Sequence, residues 1–374
     1  MLIPEWPIAT DRELEFLKEV LCSRQWGGFH EVVERFERTF AEFQHCKHGV
    51  TAVNGTVTLE MALQAAGVQE GDEVIVPAIS FISTATAVSR VGGIPVFVDI
   101  GPLSFQMDPD CAARAITSKT RAIIPVHFGG PLADMDQLPQ LAAGHGLALI
   151  EDAAHAHGSE WRGRRAGSFG LAGSFSFQNS KVMTAGEGGI LLSNDAGFDE
   201  QVRSFANQGR RQDQGWFHHY TLGTNYRITA FQAAVLLAQL ERLPEQISLR
   251  TRNAQFLRSD LADVTGLQFQ EIAPEVSSNS WYLFLGRVDQ KKLGVSRDDF
   301  CRSLTEAGVP CTPFYPHPLY GNPLYRAGGC RVEPCPNAKT RIEDAFWLPH
   351  RALMGNAEVT GQIAEAIRKS CQKQ

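Results

Sequence analysis

Leu147-Ala148-Leu149-Ile150-Glu151-Asp152-Ala153-Ala154-His155-Ala156-His157-Gly158 starts as an unbroken apolar run and ends in charge. A continuous run, rather than an alternating one, reads as a strand buried on both faces of a parallel sheet. Three like it come earlier: Val74-Ile75-Val76, Val96-Phe97-Val98 and Ala122-Ile123-Ile124-Pro125-Val126. Helical spacing predicts helices between them at 58–66, 84–90, 109–115 and 135–144. This alternation, from about 49 to 200, predicts an α/β fold: a doubly wound, mainly parallel sheet between helices. Before it, 12–21 and 31–44 space Leu14, Leu17, Val20 and Leu21, then Val32, Val33, Phe36, Phe40 and Phe43, as amphipathic helices. After it, 229–265 reads as helical, 281–288 as a strand, 297–306 as a helix, and 309–336 as a loop region rich in Pro and Gly. The expected division is a large domain at 1–240, its N-terminal segment packing on the smaller one, and an α+β domain at 241–374.

A chain of 374 residues that is 43% hydrophobic has ample material for such a core. Its 34 glycines and 19 prolines fall short of a low-complexity composition. With 35 basic against 41 acidic residues, no global field favours nucleic acid or an anionic membrane, so an anion must be met by a local site. Apolar runs end well before the roughly 20 residues of a membrane span. Met1-Leu2-Ile3-Pro4-Glu5-Trp6-Pro7 lacks the basic cap and apolar core of a secretory signal. The eight cysteines include no C-x-x-C pair and read as reduced thiols. The expectation is a cytoplasmic enzyme.

Chemistry concentrates in three places. In Ser174-Phe175-Ser176-Phe177-Gln178-Asn179-Ser180-Lys181-Val182-Met183-Thr184-Ala185-Gly186-Glu187-Gly188-Gly189, one lysine sits among small and hydroxyl residues before a glycine turn. A lysine alone is usually a surface residue. Here the glycines suggest backbone placed close to something, and a lysine amine forms a Schiff base with carbonyls once its charged form is disfavoured. Asp152, at the carboxyl edge of the sheet where open α/β folds bind ligands, is suited to keeping a pyridine nitrogen protonated; helix capping is the plainer reading. Asn54-Gly55-Thr56 precedes a helix whose free N–H groups and positive dipole end suit a phosphate, although these residues are also ordinary caps. Phe81, beyond the strand at 74–76, is placed either to stack on a planar cofactor or to pack the core. In chain order these are a phosphate loop, a stacking aromatic, a pyridinium acid and a Schiff-base lysine.

Asn54-Gly55-Thr56, Glu151-Asp152-Ala153-Ala154-His155-Ala156-His157-Gly158, the block from Ser174 to Lys181, and Thr184-x-Gly186-Glu187-Gly188-Gly189 resemble the DegT/StrS-type sugar aminotransferases. These are fold-type I enzymes dependent on pyridoxal 5′-phosphate (PLP). The resemblance implies that Lys181 is the Schiff-base lysine and that Asp152 pairs with the pyridinium nitrogen. It also implies that Phe81 stacks on the ring, that Gly55, Thr56 and Ser176 hold the phosphate, and that His155 sits near the 3′-oxygen. Asn225, in Gly223-Thr224-Asn225-Tyr226-Arg227, resembles the residue a neighbouring subunit lends to that phosphate, implying a homodimer with shared sites. Gln178 stands where nucleotide-sugar members often carry His, and His155 where they often carry Gln. This pattern, with Cys335-Pro336-Asn337 and Trp347-Leu348-Pro349-His350-Arg351, is similar to the branch of scyllo-inosose-type aminotransferases and 3-amino-5-hydroxybenzoate synthases.

The implied reaction is ping-pong transfer of an amino group from L-glutamate or L-glutamine to a ketone on a cyclic polyol or keto-sugar. An aromatising lyase would use the same Lys181 and Asp152. A metal hydrolase built on Asp152, His155, His157 and His127 lacks any H-E-x-x-H pattern. A pure binding module would have no need of Lys181. The expected acceptor walls are 25–28, 216–220 and 315–317, while Arg210 and Arg211 read as a solvated loop.

Overall fold

The computed structural model describes residues 2–212 and 214–372; Met1, Asp213, Lys373 and Gln374, which fall within the two expected domains, lie outside the described residues. Eight strands form the main sheet, in the order His48–Ala52, Gly189–Ser193, Ala172–Ser176, Ala148–Asp152, Thr120–Ile123, Glu73–Pro77, Ile94–Val98, Arg331–Val332. All neighbours pair in parallel except Gly189–Ser193, which runs antiparallel to both strands beside it.

The strand pleat explains the continuous apolar runs. Ile75, Val98, Ile123, Leu149 and Phe175 face one core, shared with helices Asp11–Ser23, Glu31–Phe43 and the first half of Ala230–Asp260. Val74, Val76, Phe97, Ala122 and Ile150 face the other, under helices Gly55–Ala65, Ser83–Arg90 and Ala196–Ala206. Each buried side chain of this size contributes about 1.5–3 kcal/mol. A one-residue slip of any strand would exchange the two sets, so the register is firmly specified.

A second sheet joins Leu267–Phe269, Leu283–Val288, Ala345–Pro349 and Thr312–Pro313, with Phe284, Phe300, Phe346 and Leu348 in its core. The helix Ala230–Asp260 starts from a capping box, in which Thr229 and Gln232 bond each other's backbone N–H, and runs unbroken across residues 240 and 241. Segment 309–336, expected as loop, contains a strand in each sheet, Thr312–Pro313 and Arg331–Val332, and the short helix Pro323–Arg326. Such two-residue strands carry no periodicity, and tertiary pairing alone creates them. No helix among the described residues is long and apolar enough to cross a membrane, and all eight cysteines are free.

Glu151 and Asp152, adjacent on one strand, point to opposite faces and serve different ends. Both side chains of the Glu151–His127 pair are fully buried, with His127 Nε2 3.0 Å from Glu151 Oε2. His127 Nδ1 accepts from Ala133 N at 3.2 Å, so the ring proton lies on Nε2 and is donated to Glu151. The carboxylate also accepts from the N–H groups of Gly167 (2.7 Å), Phe169 (2.7 Å) and Gly170 (2.9 Å). Glu151 thus staples the loop that leads into the strand Ala172–Ser176. A buried hydrogen bond from a neutral imidazole to a carboxylate contributes about 1.5–3 kcal/mol.

Candidate active site

The carboxyl edge of the main sheet opens into a cavity of about 510 Å³. The helix Gly55–Ala65 aims its N-terminus at it, starting three residues earlier than the apolar spacing predicts, because Asn54 is the cap and its Oδ1 accepts from Val57 N at 3.0 Å. The first-turn N–H groups of Gly55 and Thr56 have no carbonyl four residues back to bond. A side chain at position 55 would meet Ser176 Cβ at 2.9 Å, so glycine lets the helix end lie against Ser176. Thr56 Oγ1 donates to Ser83 Oγ at 2.8 Å. Three hydroxyls, Thr56, Ser83 and Ser176, and a helix N-terminus therefore line one end of the cavity, an arrangement that suits a phosphate.

Asp152 is the last residue of its strand rather than the first beyond it. It is 6% exposed and lines the cavity. Thr84 Oγ1 donates to Oδ2 at 2.7 Å and Ala154 N to Oδ1 at 3.3 Å. Among the described residues no cationic side chain forms an ion pair with it. Burial pushes the carboxyl pKa above its ordinary value, opposed by the Thr84 hydrogen bond and the Lys181 charge. A protonated ring nitrogen is the group that such a carboxylate lacks.

Lys181 is half-buried, its Nζ 4.5 Å from the centroid of the Tyr282 ring. Its loop is held from afar: Trp6 Nε1 donates to Asn179 O (3.1 Å) and His350 Nε2 to Ser180 O (3.1 Å). Phe81 is 59% exposed and lines the cavity, leaving a ring face available for stacking. The His155 ring packs against that of Tyr282, tilted by 33° with centroids 4.2 Å apart, and its Nδ1 accepts from Gly129 N at 3.3 Å. Burial drives the His155 pKa well below 6.5, so the ring is neutral and its proton lies on Nε2.

Gly55, Thr56, Phe81, Asp152, His155, Ser176 and Lys181 are thus gathered around one cavity. Asn225 is not among its lining residues; it lies exposed on the surface, its Oδ1 accepting from Arg227 N at 3.3 Å. The metal set is not assembled. His127 is committed to Glu151, and His157 donates through Nε2 to Ser176 O (3.0 Å) among Phe40, Phe175 and Phe177. No group of three or more His, Cys, Asp or Glu among the described residues is placed to hold a metal ion. Of the expected acceptor walls only Tyr315 lines the cavity; 25–28 and 216–220 do not.

Sequence reading missed Thr84 and Tyr282. The hydroxyl run Ser80, Ser83, Thr84 just beyond the strand Glu73–Pro77 was the available signal for the first. Nothing local marks Tyr282, which follows Trp281 at φ 53°, a left-handed conformation that costs a bulky residue about 1–3 kcal/mol. The cost is met by a network. Asn279 Oδ1 accepts from Trp281 N (2.9 Å), Ser159 Oγ from Ser280 N (2.8 Å), and the Ser280 hydroxyl donates to His155 O. The fully buried Arg250 donates from Nε to Ser280 O at 2.6 Å, and burial lowers its pKa to about 9.

Residues 7–368 match the model of the DegT/DnrJ/EryC1/StrS aminotransferase family. An L-glutamine:2-deoxy-scyllo-inosose aminotransferase of Streptomyces kanamyceticus is 37% identical, over 99% of this chain and 93% of its own. A 3-amino-5-hydroxybenzoate synthase of Amycolatopsis mediterranei (strain S699) is 37% identical, over 97% and 96%. The crystal structure of a 3-amino-5-hydroxybenzoic acid synthase matches with a TM-score of 0.93 at 36% identity, covering 99% of this chain and 98% of that one.

Proposed function

We propose, for a chain that belongs to the DegT/DnrJ/EryC1/StrS aminotransferase family and has its fold-type I architecture, that it transfers an amino group from L-glutamine or L-glutamate to the ketone of a cyclic polyol, with PLP as cofactor. The observation that carries this reading is one cavity holding a lysine amine, a buried carboxylate without a cationic partner and a helix-end hydroxyl cradle. These residues fit PLP. Thr56, Ser83, Ser176 and the first-turn N–H groups would hold the phosphate, Phe81 the ring face, Asp152 the ring nitrogen and His155 Nε2–H the 3′-oxygen.

When bound, the cofactor supplies an electron sink for the pair left on the donor's Cα. Asp152 supports that sink by holding a proton on the ring nitrogen with its negative charge. Lys181 Nζ would hold the cofactor through its aldehyde and, as a free neutral amine, would take the proton from the donor's Cα. Neutral His155 donates a hydrogen bond without adding a positive charge beside Lys181. Tyr282, Tyr315 and Trp347 add aromatic rings to the cavity lining.

The acceptor class follows the named relatives, and a test separates it from the aromatising alternative. Holoenzyme given L-glutamine and scyllo-inosose is expected to release an aminocyclitol with its ring saturated. If it instead aminated no polyol ketone and produced an ultraviolet-absorbing aromatic amine from an aminocyclohexenone substrate, the aminotransferase reading would be wrong.

The working unit in this reading is a homodimer in which each Asn225 reaches the other chain's phosphate. Support comes from the exposed Asn225 and a neighbouring apolar surface: Phe217 is 84% and Leu222 94% exposed, beside Trp216, Tyr220, Trp26 and Phe29. Such patches mark contact surfaces. Sedimentation at the mass of a single chain would count against it.

A further inference from the structure

Gln178 is among the residues lining the cavity, and its hydrogen bonds fix which atom of its amide is the oxygen and which the nitrogen. Ser180 N–H, which can only donate, lies 2.8 Å from Gln178 Oε1, so that atom is the carbonyl oxygen. Ser180 Oγ–H donates to the same oxygen at 2.8 Å. With that proton committed, Tyr282 O–H is the donor in its 3.0 Å bond to Ser180 Oγ. Both lone pairs of Oε1 are therefore engaged, and Nε2, without a partner among the described residues, keeps two uncommitted N–H groups on a residue of the cavity lining. Lys181 N bonds Gln178 O at 2.9 Å, so the amide and the reacting amine share one turn.

Among the described residues, Lys181 is the one lysine or arginine lining the cavity. A ping-pong site has to hold two unlike substrates in turn, an anionic amino acid and a neutral ring. In the donor, a carboxylate oxygen lies two bonds from the reacting Cα. In a polyol ketone, the hydroxyl oxygen on the flanking carbon lies two bonds from the reacting carbonyl carbon. The ketone's own oxygen leaves as water and cannot anchor the ring throughout, whereas the flanking hydroxyl persists. An arginine would favour the anion and pay desolvation with the neutral ring; an amide N–H suits both oxygens.

Resting on the aminotransferase reading above, we infer that Gln178 is the dual-specificity residue of this site: its Nε2 binds, in turn, a carboxylate oxygen of the donor and the hydroxyl flanking the acceptor's ketone.

Two substitutions separate this role from a structural one. Gln178→Glu keeps Oε1 for Ser180 but sets an anion against the donor's carboxylate, while a substrate hydroxyl can still donate to it. The half-reaction with L-glutamine, followed by the cofactor spectrum in a single turnover, is expected to slow at least ~100-fold, and that with scyllo-inosose less than ~10-fold. Gln178→Met removes both N–H groups, and both half-reactions are expected to fall together, by roughly 10–50-fold. In calorimetry, scyllo-inositol, which has no ketone to react, is expected to bind the Met variant at least ~5-fold more weakly and the Glu variant within ~2-fold of wild type. Equal losses in both half-reactions for Gln178→Glu, or no loss for Gln178→Met, would overturn the inference. If wild-type enzyme takes no amine from glutamine, or gives none to any polyol ketone, the underlying functional reading fails instead.

Discussion

Replacing Lys181 by alanine is expected to abolish turnover with glutamine and a polyol ketone, a loss of at least ~10⁴-fold, because one amine acts as both covalent anchor and proton carrier. The setting is built for that amine. Its Nζ lies over the Tyr282 ring, and the three nearby imidazoles of His155, His157 and His350 are all held below their ordinary pKa by burial. The Lys181 side chain makes no hydrogen bond or ion pair that the fold needs among the described residues, whereas its loop is tied by Trp6, His350 and Tyr282 through backbone and Ser180. The variant should therefore melt within a few degrees of wild type. Steady-state assays that found more than about 1% of wild-type activity would contradict the role given to Lys181.

Asp152→Asn should separate stability from activity. Turnover is expected to fall by ~10²–10³-fold, the loss typical of removing one preorganised electrostatic contact. The same change should raise the melting temperature of cofactor-free protein at pH 8. Burial raises the Asp152 pKa in the folded state, so the native chain binds a proton more readily than the unfolded one. Ionisation then costs native stability, a cost fully present above the folded pKa and relieved as pH falls through it. Asparagine carries no such cost, so its advantage should shrink toward acidic pH. Thermal unfolding of both cofactor-free proteins across that range reads it directly. An advantage that grew on acidification would show that the carboxyl is not destabilised by burial.

The main sheet was legible because strands buried on both faces leave unbroken runs such as Ile94–Val98, and the helices between them leave a different period. Boundaries slipped where a local device overrode the apolar pattern. Asn54 starts its helix at Gly55, and the left-handed Trp281 delays the strand expected at 281 to Leu283. Lys181, Asp152 and Gly55 stood out because each lies in a compact motif whose neighbours restrict its uses. Tyr282 and Trp347 did not, because they reach the cavity through pairing of the second sheet, about a hundred residues or more from the lysine, and no spacing records that. Asn225 was singled out by motif resemblance as a residue lent to the neighbouring subunit; within one chain it is exposed and does not line the cavity.

The central claim is that the amine at position 181 carries an aldehyde cofactor, and the direct measurement is borohydride reduction of the purified holoenzyme followed by peptide mass mapping. The account predicts a phosphopyridoxyl group on the peptide containing Lys181 and on no other. A reduced protein whose label sat on a different lysine, or that took up no label despite bound cofactor, would contradict it.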